Sequence, residues 1–191
     1  MNILIISTNR AVSPMPVMPI GACVVAEAAE RAGHFVALLD LMFAADPLRA
    51  IEVTLRRPYD LIGLSVRNID NNDMYGTVFY IDDLASLVHA VRRRTDAPIV
   101  LGGASLTIMP EEILRAVEAG CAVIGDGEVT FPRLLERMER HEPWEDLPGI
   151  AFLKGGTFRA NPSLPGVSNG CAVPGYHRWL DLNAYRLHLS T

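Results

Sequence analysis

The sequence predicts an α/β fold: a doubly wound parallel sheet of five strands. Three observations predict it. Short apolar runs alternate with amphipathic stretches from residue 2 to residue 140. The runs are continuously apolar, as strands buried on both faces are. The amphipathic stretches carry i, i+3, i+4 spacing, as helices laid on such a sheet do. Right-handed crossovers then wind the helices onto both faces, and the strand order 2-1-3-4-5 is expected.

Each element has its own signal. Residues 2–7 (NILIIS) read as the first strand. In residues 20–32, Ile20, Cys23, Val24 and Ala28 share one helical face, and Gly33 is a helix stop. Residues 35–40 (FVALLD) are the second strand, 47–56 a short helix around Leu48, Ile51 and Leu55, and 60–66 (DLIGLSV) the third strand. Residues 80–94 give the clearest helix: Ile81, Leu84, Ala85, Val88 and Val91 line one side, and Arg92, Arg93 and Arg94 lie where cations suit the helix dipole. Residues 98–101 (PIVL) are the fourth strand, and Pro110 opens a helix over 110–119 with Glu111 and Glu112 in its first turn. Residues 121–124 (CAVI) are the fifth strand, and Phe131, Leu134, Leu135 and Met138 mark a last helix over 128–140.

Composition changes after Glu142. Residues 1–142 read as one domain, and 143–191 as an arm rich in Pro and Gly. The arm starts with a hairpin over 149–154 and 157–161, turning at Gly155-Gly156. Residues 162–191 show no period and carry too few apolar residues for a core of their own, so they read as a linker that packs on something.

Half of the 191 residues are hydrophobic and a fifth are charged, which excludes a disordered or low-complexity chain. The mean hydropathy is +0.21. The net charge of −5 argues against a general nucleic-acid binder, which needs a basic face. The opening MNILIIS lacks a basic leader region, and no apolar run reaches bilayer length. A cytoplasmic protein with no membrane partner is expected. Cys23, Cys121 and Cys171 have neither metal-site spacing nor an even count, and the first two sit in apolar runs where thiols are buried.

In open α/β sheets, ligands bind beyond the C-terminal strand ends, near the topological switch. Four loops meet there: 8–21 (TNRAVSPMPVMPIG), 67–77 (RNIDNNDMYGT), 102–109 (GGASLTIM) and the turn 125–128 (GDGE). Gly102-Gly103 reads either as close approach to a ligand or as a tight strand-to-helix turn. Gly125-Asp126-Gly127-Glu128 opens a helix whose N-terminus can hold an anion or hydroxyl groups. RNIDNND reads as a solvated loop or, from its length and place, as a ligand contact. The proline-rich first loop has no glycine triplet, which counts against NAD and FAD, and no GxxxxGKS or GxxxxGKT occurs.

Taken together, MNILIIST, PMPVMPIG, DLIGLSVRNIDNND, LGGAS and IGDGEVTFPRLL resemble the Rossmann-like cobalamin-binding domain found at the N-terminus of cobalamin-dependent radical S-adenosylmethionine (radical SAM) enzymes. The resemblance spans residues 1–140, and DLPGIAFLKGG with DLNAYR looks like the segment joining that domain to the radical SAM barrel. It implies a cobalamin cofactor. In the wider fold an Asp-x-His-x-x-Gly loop supplies a histidine to cobalt. Here Pro16-Val17-Met18-Pro19-Ile20-Gly21 stands in its place: Gly21 matches, Asp and His do not, and Met18 occupies the histidine position. Ser65 matches the serine of Ser-x-Leu, with Val66 following and Arg67 where leucine would be. Gly102 and Gly103 match the Gly-Gly that admits the nucleotide tail, and Gly125, Gly127 and Glu128 the closing turn. Asn68, Ala104 and Asp126 flank these and complete the expected cofactor-binding set. No residue is expected to ligate the metal or to act as a catalytic group.

The resemblance also implies a methyltransferase whose S-adenosylmethionine and iron–sulfur cluster belong to the full-length enzyme. The Cys-x3-Cys-x2-Cys of the cluster is absent here, so the chain reads as an N-terminal fragment that is not catalytic alone and whose partner is the C-terminal barrel of the same chain. The competing reading is a non-catalytic flavodoxin- or receiver-like module acting through a protein partner. Thr8-Asn9-Arg10 after the first strand fits neither a receiver's acidic cluster nor a flavodoxin's phosphate loop.

Overall fold

The computed structural model describes residues 1–71, 75–163 and 174–187. The parallel strands form where the apolar runs fall: β1 (Asn2–Ser7), β2 (Phe35–Asp40), β3 (Leu61–Ser65), β4 (Ile99–Gly102) and β5 (Cys121–Val123). All five are parallel and lie in the order 2-1-3-4-5, with Ser7, Ser65 and Gly102 level at the C-terminal edge.

The sheet does not stop there. β6 (Ile150–Lys154) pairs antiparallel with β5, and β7 (Thr157–Ala160) with β6, so the sheet has seven strands rather than five. The hairpin expected as an arm extends the sheet. Its residues Ile150, Ala151 and Phe152 are buried, and they cover an edge that β5 would otherwise expose.

Helices α1 (Ile20–Arg31) and α6 (Gly127–Glu139) cover one face, over Ile3, Ile5, Leu61, Val100 and Cys121. Helices α2 (Pro47–Thr54), α3 (Ile81–Arg92) and α5 (Pro110–Ala116) cover the other, over Leu4, Ile6, Ile62, Leu64 and Leu101. Asp46 caps α2 by accepting from Arg49 N–H at 2.9 Å, with Pro47 as its first residue. The buried side of α1 is Ala22, Cys23, Ala26 and Ala29. That differs from the expected face: Ile20 is exposed, and small residues face inward because α1 packs closely on α6. A short helix, α4 (Ala104–Ile108), lies in the loop after β4, where no helix is expected from sequence.

The tail returns to the domain. After a single turn of 3-10 helix at Tyr176–Arg178 comes α7 (Leu182–Leu187). Arg178 pairs with Glu30 at 2.8 Å and Glu27 at 3.4 Å on α1, and Trp179 Nε1 donates to Glu27 at 3.3 Å. Tyr185 is buried, donates its hydroxyl to Asp40 and packs edge-on against Phe43. Among the described residues no helix is long and apolar enough to cross a membrane.

Candidate functional site

Two cavities open at the C-terminal edge, separated by the end of β3. The first is a slot of about 240 Å³ on the α1/α6 face. Its floor is the sheet, where Gly63 sits between Ile5 on β1 and Val100 on β4 in register. A β-carbon on Gly63 would lie 3.6 Å from Ile5 Cγ1 and 3.9 Å from Phe131 Cζ, so the missing side chain leaves the space between sheet and helices. Glycine inside a strand costs roughly 0.5–1 kcal/mol and marks close approach of another group. Gly21, Ala22 and Val25 of α1 form one wall and Phe131 of α6 the other.

Ser65, Gly102, Gly103 and Ala104 bound the mouth on one side, and Gly125, Asp126, Gly127 and Glu128 on the other. The four glycines differ in what they permit. At Gly103 φ is +99°, and a β-carbon would fall 2.5 Å from the Val66 carbonyl oxygen. It would strike the β3 loop backbone rather than crowd the slot, so of the two readings of the pair Gly103 carries the tight turn. Gly102 has room: the nearest atom to its β-carbon would be Val123 O at 3.8 Å. Gly125, at φ +77°, donates its N–H to Thr107 Oγ1 at 3.2 Å. A β-carbon at Gly127 would lie 2.9 Å from Val25 Cγ2, so glycine lets α6 begin against α1. Asp126 makes no side-chain cap there, leaving the first N–H groups of α6 at the slot mouth.

The second cavity, about 510 Å³, lies across β3 on the α2/α3 face. Thr8, Asn9, Arg10 and Ala11 come from the β1 loop, and Val66, Arg67 and Asn68 from the β3 loop. Pro47 and Leu48 begin α2, while Tyr80, Asp83 and Leu87 come from α3 and its approach. Thr8 ties the two loops by donating both N–H (3.1 Å) and Oγ1–H (3.0 Å) to Ser65 O. Arg10 donates to Ala44 O at 3.3 Å. Asn9 is 8% exposed; its Oδ1 accepts from Ala11 N–H at 3.2 Å and its Nδ2 has no partner.

The expected site residues thus divide three ways. Gly21, Ser65, Gly102, Gly103, Ala104 and residues 125–128 line the slot. Val66, Arg67 and Asn68 line the second cavity. Pro16 is buried and Val17 and Met18 half-buried in the β1 loop, where they line neither cavity. Gly63, Val25, Thr107 and Phe131 join the slot without having been singled out from sequence. The signal for Gly63 was present, a lone glycine inside an apolar strand run.

His34, His89, His141 and His177 line neither cavity, and His188, Cys171 and residues 72–74 of the β3 loop lie outside the described residues. Among the described residues no group of three or more His, Cys, Asp or Glu could hold a metal. Burial, with a smaller push from the Asp40 carboxylate, raises the Cys23 thiol to about 11; burial alone raises Cys121 to about 12. Both are unreactive core thiols. Val12, Met15, Tyr75, Phe79 and Ile108 leave an exposed apolar rim on the loops of this edge.

A family model described as the B12 binding domain matches residues 6–135. The chain is 32% identical over 141 residues to the hopanoid C-3 methylase of Methylococcus capsulatus, covering 72% of this chain and 25% of that protein. It is 32% identical over 119 residues to the tryptophan 2-C-methyltransferase of Streptomyces laurentii, 59% of this chain and 19% of that protein. Among solved structures it is similar to the radical S-adenosylmethionine methyltransferase TsrM from Kitasatospora setae, solved with cobalamin and an iron–sulfur cluster bound. The TM-score is 0.78 at 25% identity, over 84% of this chain and 30% of that one. The cobalamin-dependent S-adenosylmethionine radical enzyme OxsB, solved with aqua-cobalamin, shares the fold at a TM-score of 0.69 and 17% identity, over 90% of this chain and 23% of that one. The chain therefore spans a quarter or less of the length of these curated relatives.

Proposed function

The chain belongs to the B12-binding domain family, and from that premise we propose that the slot over Gly63 receives the nucleotide tail of cobalamin while the corrin ring lies across the C-terminal edge of the sheet. The slot itself carries this reading. Its glycine floor and its Val25 and Phe131 walls suit a flat aromatic base. The uncapped start of α6, within Gly125, Asp126, Gly127 and Glu128, suits the sugar and phosphate that follow the base. Ser65, Gly102, Gly103 and Ala104 form the opposite lip.

Cobalamin supplies a cobalt that can carry a one-carbon group, and the protein supplies binding, orientation and electrostatics. The β3 loop, with Val66, Arg67 and Asn68, is the part of this chain we assign to the lower face of the corrin. A guanidinium stays charged and has no lone pair to donate, so Arg67 there disfavours a lower ligand from the protein. We assign Pro16, Val17 and Met18 to the flank of the ring, with the Met18 thioether as an adaptable apolar contact rather than a metal ligand.

The methylase and methyltransferase relatives support a wider reading. This domain holds the cofactor for a radical SAM methyltransferase, whose barrel in the same full-length chain holds S-adenosylmethionine and the iron–sulfur cluster. A cytoplasmic setting suits the buried free thiols of Cys23 and Cys121.

The test is reconstitution with hydroxocobalamin, followed by gel filtration and paramagnetic resonance of the cob(II)alamin form. Corrinoid absorbance should travel with the protein, and the spectrum should lack nitrogen splitting from a protein imidazole. Arg67→Ala should alter the cobalt spectrum and Met18→Ala should not. The reverse pattern exchanges the roles of the two loops, and failure to retain corrinoid overturns the proposal.

A further inference from the structure

We propose that the second cavity, between the β1 and β3 loops and helices α2 and α3, seats a carboxamide side chain of the corrin rim, with Asn9 donating to its carbonyl oxygen and Asp83 accepting from its NH2. This rests on the reading of the chain as a holder of cobalamin.

Asn9 is more than nine-tenths buried at the cavity wall, and its Nδ2 lacks any partner. Buried polar groups are paired in the great majority of structures, so an orphaned donor beside a cavity marks a missing acceptor. Asp83 faces the same cavity from the first turn of α3, and an ionised carboxylate only accepts. A ligand group that both accepts and donates would meet the Asn9 donor and the Asp83 acceptor on this cavity wall. A primary carboxamide does so. Arg10 and Arg67 line the same cavity and add donors for a carbonyl oxygen, while Asp83 supplies the acceptor that an NH2 group needs.

The cavity's place selects the corrin rim. Ser65 lines the slot and the next residue, Val66, lines this cavity, so the two share one wall. Thr8 pins that wall through its two bonds to Ser65 O. A ligand whose tail enters the slot has its ring over the end of β3, and the carboxamides around the ring are the groups that can turn down beyond it. The volume of about 510 Å³ leaves room for one such side chain with water.

Absorbance titrations of the full chain with hydroxocobalamin and with cobinamide test this. Cobinamide lacks the nucleotide tail and keeps the rim carboxamides. Asp83 is exposed, so Asp83→Ala, which removes the acceptor altogether, should fold normally. Asn9→Asp exchanges the donor for an acceptor of the same shape. Each variant should bind both corrinoids about tenfold more weakly, the worth of one hydrogen bond. Unchanged hydroxocobalamin affinity in Asp83→Ala, or a loss confined to hydroxocobalamin, overturns the inference and leaves the cobalamin reading standing. If the parent chain binds neither corrinoid, the underlying reading fails and the inference falls with it.

Discussion

Gly63 and Gly103 both line the slot, and their missing side chains serve different ends. At Gly63 the backbone is an ordinary strand, and a larger side chain would point into the slot. Gly63→Val should keep or raise the thermal midpoint, because valine suits a strand. Filling the slot should weaken hydroxocobalamin binding by roughly five- to a hundredfold, the equivalent of about 1–3 kcal/mol of overpacking. Cobinamide, having no tail, should bind the variant as it binds the parent, and equal losses for both would remove the tail from the slot. Gly103 cannot serve as such a probe. Its φ of +99° and the 2.5 Å approach to Val66 O mean that Gly103→Ala strains the β3–β4 crossing itself. That variant should lose about 1–3 kcal/mol of stability in urea titration, with or without corrinoid. Sequence alone left Gly102-Gly103 open between turn and ligand approach, because a glycine does not announce what comes near it. The φ and the neighbour decide that, and the neighbour of Gly103 is 37 residues away in the chain.

Among the elements, helices with a clear period were legible, and what lacked a period was not. The α3 pattern of Leu84, Val88 and Val91 is buried as its spacing predicts. The inward face of α1 was harder to read, since alanines carry little hydrophobic signal yet set how closely α1 meets α6. The five-residue α4 is too short to show a period. Residues 174–187 hold through side-chain anchors to Glu27, Glu30 and Asp40, partners about 150 residues away that no local pattern reveals. Tyr185 makes that docking sensitive to alkali. Burial raises its phenol well above the usual 10, with the hydrogen bond to Asp40 and the nearby carboxylate adding to the rise. An undocked tail titrates near 10, so the docked state is fully favoured below that pH and loses ground as pH rises above it. In a Trp144→Phe background, Trp179 fluorescence should report release of the tail above about pH 10. Tyr185→Phe should dock more weakly by about 0.5–1.5 kcal/mol and show no such transition. An identical alkaline transition in both would assign the release to another group.

At the scale of the whole molecule, parallel order followed from crossover rules, and the hairpin's own turn was legible at Gly155-Gly156. Its docking partner was not, because antiparallel pairing across a sheet edge leaves no mark in either segment alone. The consequence reaches the candidate site. β5 has three residues and pairs with β4 at two positions only, Val100 with Cys121 and Leu101 with Ala122. β6 holds its other side at three positions, and Ile124 N–H donates to Gly149 O at 2.8 Å immediately before the Gly125 turn. Asn161 Nδ2 then donates to Glu145 O at 2.7 Å and Leu147 O at 2.8 Å, closing the loop that leads into the hairpin. The slot's lip therefore stands on a strand that the hairpin supports. A chain cut after Glu142 loses the burial of Ile150 and Phe152, each worth about 1.5–3 kcal/mol, against a typical total of about 5–15 kcal/mol. It should lose its cooperative thermal transition and its hydroxocobalamin together, whereas a chain cut after Ser163 should keep both. If the shorter chain instead melts at the parent's midpoint and still binds, the hairpin is an appendage and the domain ends at residue 142 after all. The element that closes the slot would then draw its stability from β4 and α6 alone.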